Sequence, residues 1–221
     1  QWVTRGAKRP IVIADMPFGS YEESDEQAVR NAVRLVKEGG ADAVKLERGG
    51  TSVARARAIV GAGIPVMGHV GLTPQTATVL GGFKAQGRTA ERAHQLVEDA
   101  LELEAAGCFA IVLEAVPPTV GRAATQALTV PTIGIGAGAE TDGQVLVWHD
   151  MLGFYEGRSP RFVKRYAELG EAILEALEHY AEEVRSGSFP EERHTYKMPE
   201  EEQAAFEAVP SAELGEHDQR R

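Results

Sequence analysis

A chain of 221 residues, 43% hydrophobic and 25% charged, is long enough for one large α/β domain and too apolar for a disordered or fibrous protein. Its 33 acidic side chains against 23 basic ones give a formal net charge of −10, which repels nucleic acid and anionic membrane, so a small anionic substrate needs a local positive site. The single cysteine, Cys108, excludes an intrachain disulfide and reads as a small buried hydrophobe; no run nears the ~20 apolar residues that span a bilayer and QWVTRGAKRP holds no signal core, so a cytoplasmic protein is expected.

From residue 11 to about 185, short apolar runs alternate with longer amphipathic segments, the pattern of repeated βα units around a buried parallel sheet. The first run, IVIAD (11–15), predicts a strand, and residues 24–38 predict a helix that opens at Ser24 and stops at Gly39–Gly40. Strands follow at AVKLE (43–47) and PVMGH (65–69), and GHVGLTP and GGFKAQGR then read as loops suited to a substrate-side lid. A helix over 89–106, opened by Thr89 and closed by Gly107, leads into strands AIVLE (110–114), TIGIG (132–136) and VLVWH (145–149). These runs lack strict alternation, as strands covered on both faces do. The longest helix is predicted at 160–185, with Ala172, Ile173, Leu174, Leu177 and Tyr180 as its apolar face. Composition turns Glu-rich and aliphatic-poor beyond Phe189, which divides the chain into a catalytic barrel domain over 1–189 and a solvated, partly disordered extension over 190–221.

Ionisable residues recur at the carboxyl ends of the predicted strands: Asp15, Lys45, Glu47, His69 and Glu114. In a parallel barrel these ends converge on the face where active sites are built. Each residue has a structural alternative. Asp15 is placed to cap the turn ADMPFGSY, Lys45 and Glu47 share a strand face and suit a solvated ion pair, and His69 suits a satisfied core position. Glu114 ends a run too apolar to hold an ionised carboxylate without a partner or a task. Recurrence on four strands favours a site over four separate accidents.

Asp15 and Glu47 are hard oxygen donors of the kind Mg²⁺ takes, alongside waters and substrate oxygens. A 2-oxo acid chelating that ion near Asp15, its oxygens held by Lys45 and His69, would lose a proton from the neighbouring carbon, and Glu114 is the acceptor. The glycine-rich TIGIGAGAETDGQ (132–144) lacks the spacing of a dinucleotide fingerprint or a P-loop. Anion binding and close backbone packing both explain its glycines.

Taken in order, ADMPFGSY, AVKLE, PVMGHVGLTPQ, LGGFKAQGR, IVLEAVP, PTIGIGAG and DGQVLVWHDMLG resemble the ketopantoate hydroxymethyltransferase family over about residues 5 to 196. The resemblance implies a (β/α)₈ barrel that moves a one-carbon unit from 5,10-methylenetetrahydrofolate to 3-methyl-2-oxobutanoate, giving 2-dehydropantoate in pantothenate biosynthesis. It implies Mg²⁺ as the metal and a homodecameric assembly. It assigns Asp15 and Glu47 to the metal, Asp15, Lys45 and His69 to the substrate and Glu114 to proton abstraction.

Two departures stand out. The chain reads KLERGGT where the family usually reads KLEGGE, so Arg48 replaces a glycine beside the metal site. Only about six βα units are present where a barrel needs eight, and a Gly-Asp-Ser segment, supplying another metal ligand and a substrate-binding serine, has no counterpart; a missing N-terminal portion is expected. The rival readings are a phosphoenolpyruvate mutase or isocitrate lyase-like barrel enzyme on 2-oxo acids, and a catalytically silent subunit. Requirement for folate separates the first from the transferase, and proton exchange separates the second.

Overall fold

The computed structural model describes residues 1–47, 51–155, 157 and 159–208; Arg48 and the end of the acidic tail lie outside them. A short helix α1 (Trp2–Gly6) precedes strand β1 (Ile13–Asp15), helix α2 (Asp25–Lys37), strand β2 (Ala43–Glu47), helix α3 (Thr51–Gly61) and strand β3 (Val66–Gly71). After a 3₁₀ turn at Pro74–Thr76 come α4 (Ala90–Ala105), β4 (Ala110–Glu114), α5 (Pro118–Ala127), β5 (Thr132–Ile135), β6 (Gly143–Gln144) and α6 (Trp148–Met151). All six strands are parallel and pair in chain order, β1 to β6, and among the described residues β1 and β6 each have one neighbour. This is an open arc of a (β/α) barrel, the fold class that the βα alternation predicts.

Local chemistry fixes the helices. Ser24 Oγ accepts the backbone N–H of Gln27 at 3.1 Å to start α2, and Thr89 Oγ1 accepts that of Arg92 at 3.3 Å to start α4. Beneath the helices, strand residues Val44, Leu46, Val66, Ile111 and Leu113 join Ala28, Ala56, Ile59, Ala100 and Leu103 in one buried cluster. A fully buried leucine contributes roughly 1.5–3 kcal/mol. Gly68 is part of that fit, because a Cβ there would stand 2.8 Å from Ile111 Cδ1 and 2.9 Å from Leu103 Cδ1. Cys108 is buried in the same cluster, and burial pushes its thiol up to about 12, as a packing residue requires.

The structure corrects two predicted elements. VLVWH is not a strand: pairing occupies Gly143–Gln144, and Trp148 begins α6. Asp142 sets that register, its Oδ2 accepting the N–H of Thr132 at 2.8 Å and its hydroxyl at 3.0 Å, so β6 pairs two residues earlier and ends as the chain turns. Trp148 joins a local aromatic group instead, its ring 5.2 Å from that of Phe154. The helix predicted from residue 160 begins at Leu169 as α7 (Leu169–Ser186). The preceding segment is held as a loop by Arg165, whose guanidinium donates to Ser159 Oγ, Tyr155 O and Gly157 O.

By its contacts the chain forms two compact units, Gln1–Ala167 and Glu168–Arg221. The first holds the sheet. The second contains α7, a 3₁₀ turn at Glu192–His194 and α8 (Glu200–Glu207) within the acidic tail. The apolar stripe of α7 is exposed, Ile173 at 46% and Leu177 at 59%.

Candidate active site

Strand register brings the predicted residues together. Asp15 of β1 pairs with Lys45 of β2, Glu47 of β2 with His69 of β3, and Gly71 of β3 with Glu114 of β4, which places five ionisable groups along the carboxyl end of four neighbouring strands. Lys45 Nζ lies 2.8 Å from Asp15 Oδ1 and 3.2 Å from His69 Nδ1. An ammonium only donates, so Nδ1 of His69 accepts and the ring proton sits on Nε2. That Nε2 is 3.2 Å from Glu114 Oε2, yet the carboxylate stands off the N–H line and the buried donor has no aligned acceptor. A polar chain therefore runs from Asp15 through Lys45 to His69 and stops at the unsatisfied Nε2–H beside Glu114.

Asp15 does not cap its turn and Lys45 does not pair with Glu47. Asp15 turns to Lys45, and the turn that follows it is held by Glu22, whose Oε2 accepts the N–H groups of Gly19 at 2.8 Å and Tyr21 at 3.1 Å. Lys45 directs its ammonium to Asp15 and His69.

Glu47 is buried behind this chain. Its Oε2 accepts the N–H of Gln75 at 3.0 Å from the 3₁₀ turn Pro74–Thr76, and its Oε1 is 3.9 Å from His69 Nδ1. Burial raises its carboxyl above the ordinary range, opposed by the nearby His69, Lys45 and the Gln75 N–H. Tyr21 and Gln75 are neighbours of Glu47 that residue type alone did not single out. The Tyr21 hydroxyl accepts the N–H of Glu47 at 3.3 Å, and burial pushes the phenol up to about 12. The Gln75 side chain donates to Met16 O at 3.0 Å and leaves its own Oε1 buried without a partner. Both lie inside the ADMPFGSY and GLTPQ runs, where loop composition concealed them.

Among the described residues no three His, Cys, Asp or Glu side chains converge as a metal cage. A hard divalent cation that keeps its waters needs only one or two carboxylates. Asp15 offers one that is 52% exposed, while Glu47 stands behind with one oxygen already engaged. The donor set fits an open oxygen site of this kind.

On its other flank Glu114 opens into a cavity of about 660 Å³, walled by the loops after β3, β4, β5 and β6 and including Phe83, Lys84, Asp150, Arg161 and Phe162. Ala115, the next residue, has φ +49, a left-handed conformation unusual for a side-chain-bearing residue and found where a site dictates the backbone. The glycines of TIGIGAG answer to packing: a Cβ on Gly136 would come 2.5 Å from the Phe162 ring, and one on Gly138 2.8 Å from Pro118 Cβ.

Comparison with known proteins gives a consistent picture. The sequence model described as ketopantoate hydroxymethyltransferase matches residues 1–192. A protein named 3-methyl-2-oxobutanoate hydroxymethyltransferase from Oleidesulfovibrio alaskensis is 55% identical over 205 residues, 93% of this chain and 71% of that protein. One of the same name from Thermobifida fusca is 57% identical over 194 residues, 88% of this chain and 69% of that protein. Among solved structures, phosphonopyruvate hydrolase superposes with a TM-score of 0.50 at 15% identity, covering 98% of this chain and 75% of that one, a likeness of fold alone. Among the described residues no helix is long and apolar enough to cross a membrane.

Proposed function

The chain belongs to the ketopantoate hydroxymethyltransferase family, and from that premise we propose that it transfers a hydroxymethyl group from 5,10-methylenetetrahydrofolate to 3-methyl-2-oxobutanoate, giving 2-dehydropantoate for pantothenate biosynthesis. The observation that carries this reading is the unsatisfied Nε2–H of His69 beside the Glu114 carboxylate. A buried donor without an acceptor costs about 1–3 kcal/mol, which a substrate oxygen arriving there would recover.

Lys45 and His69 hold the carboxylate and keto oxygens of the 2-oxo acid. Glu114 takes the proton from carbon 3. One of the methylene carbon's two bonds to folate nitrogen gives way to the carbanion and the other to the oxygen of water, the two nitrogens take up the protons released by carbon 3 and by water, and tetrahydrofolate leaves. Asp15, with Glu47 behind it, would hold Mg²⁺, which when bound supplies positive charge to the developing enolate. The buried Glu47 also fixes the loop through Gln75, keeping the strand ends in register around the substrate. A homo-oligomeric, cytoplasmic enzyme accords with this reading.

The test is exchange of the carbon-3 proton of 3-methyl-2-oxobutanoate with solvent deuterium in the presence of Mg²⁺, followed by NMR. Exchange is expected in the parent and lost in Glu114→Gln. A parent that never exchanges would overturn the assignment, whatever its fold.

A further inference from the structure

We propose that the cavity on the β5–β6 flank of Glu114 seats the one-carbon donor, a flat heteroaromatic ring with an anionic tail, with Phe83 and Phe162 as its walls and Lys84 and Arg161 as the cations that hold the tail. The inference rests on the transferase reading above and adds to it where the second substrate lies.

Position is the first argument. Among the described residues, Glu114 belongs both to the polar cluster and to the cavity wall, whereas Asp15, Lys45, Glu47 and His69 take no part in that wall. The base therefore stands between two compartments. An acid held on the β1–β3 side presents its carbon 3 toward Glu114, and a partner entering from the β5–β6 side meets it there.

Size and surface are the second. A cavity of about 660 Å³ lies within the ~300–1,000 Å³ of sites for drug-sized ligands, far more room than a small branched acid fills. Phe83 is 77% exposed, a large aromatic left bare on a loop that is itself well anchored: Gly82 N–H donates to Ala77 O at 2.8 Å and Gln86 N–H to Ala115 O at 2.9 Å. Two aromatic rings in one cavity wall suit a flat heterocycle, because stacking needs only a π-face. Phe162 is set in place by Gly136, where the missing Cβ lets the ring lie against the backbone of the loop after β5.

Charge is the third. On a chain of net charge −10, Lys84 and Arg161 border this one cavity, and neither is engaged in an ion pair among the described residues. Among the described residues the wall's acidic groups are Glu114 and Asp150. Two cations at the mouth attract a carboxylate tail and keep it away from the base.

Calorimetric titration of the parent, Lys84→Ala, Arg161→Ala and the double variant with tetrahydrofolate reads the cavity, while carbon-3 proton exchange without folate reads the acid side. Each single change is expected to weaken tetrahydrofolate roughly tenfold, the double change more, and Lys84→Arg to restore most of the loss. 6-Methyltetrahydropterin, the ring without any carboxylate, should bind parent and variants alike. Exchange should stay within about twofold of the parent throughout, since neither cation touches the acid. Tetrahydrofolate affinity unchanged in the double variant overturns the inference, as does a parent that does not bind it. Loss of exchange in step with affinity also overturns it, by assigning the cations to the acid or to the scaffold. Absence of exchange in a parent that binds tetrahydrofolate would instead defeat the reading of the reaction while leaving the cavity assignment standing.

Discussion

The two flanks of Glu114 solve opposite problems. Toward β1–β3 the side chains are mutually engaged, Asp15 to Lys45 at 2.8 Å and Lys45 to His69 at 3.2 Å, so each group is oriented before anything binds. Toward β5 and β6 the wall is apolar, roomy and bordered by exposed cations. A small acid that must be deprotonated at one carbon calls for fixed dipoles, and a large partner that must enter and leave calls for space. The difference teaches that one carboxylate serves two surroundings, and mutation can separate them.

Glu114→Gln should have the largest effect, because it removes the group both flanks share: kcat is expected to fall roughly 10²–10⁴-fold in steady-state assay with the protein still folded. Lys45→Met breaks only the β1–β3 side. It should raise KM for 3-methyl-2-oxobutanoate roughly 10–100-fold, the worth of a charge-assisted contact, and leave tetrahydrofolate titration unmoved. Gly136→Ala works on the other side, forcing a Cβ into the Phe162 ring at φ +69. A loss of roughly 1–3 kcal/mol in denaturant unfolding is expected, with weaker tetrahydrofolate binding and intact carbon-3 exchange.

A pH test sharpens the contrast in burial. Because the folded Glu47 carboxyl is raised above its ordinary 4.5, its protonated form is the better accommodated one, so its contribution to stability is full below that value and is lost as pH rises through the folded value. Thermal melts of Glu47→Gln should show a flatter decline over that interval than the parent. The smallest effect belongs to Arg34→Ala, which removes an exposed i,i+4 pair with Glu38 on α2, far from either flank. Its unfolding free energy should stay within about 0.5 kcal/mol of the parent, and a larger change would show that surface charge contributes more here than the site does.

Much of the polar flank was legible from sequence because its physics is local. AVKLE and AIVLE coincide with β2 and β4, since runs that must be covered on both faces leave little freedom at their ends. An ionisable residue closing such a run has few reasons to be there, which is how Asp15, Lys45, Glu47, His69 and Glu114 stood out before their contacts were visible. The roomy flank was not legible. Phe83 and Lys84 sit in one loop and Arg161 and Phe162 in another, and only the fold of the parallel sheet brings the two to one cavity. VLVWH misled because an apolar run signals burial somewhere, and here the Asp142 contacts fixed the strand register while the aromatics packed among themselves. Tyr21 and Gln75 were hidden for a further reason: each acts through one main-chain or side-chain atom on Glu47, which composition does not reveal.

Ala115 joins the two flanks. Its N–H donates to Ile135 O at 2.8 Å and its carbonyl accepts from Gln86 N–H at 2.9 Å, so a single residue next to the base links the loop after β5 to the Phe83–Lys84 loop. Communication between the halves of the site thus depends on the backbone, while the Gln86 side chain donates to Lys84 O at 2.9 Å within the same loop. Only a change that deletes the amide hydrogen, such as Gln86→Pro, would cut the tie, which makes this peptide a point of mechanical weakness that ordinary sequence variation does not expose.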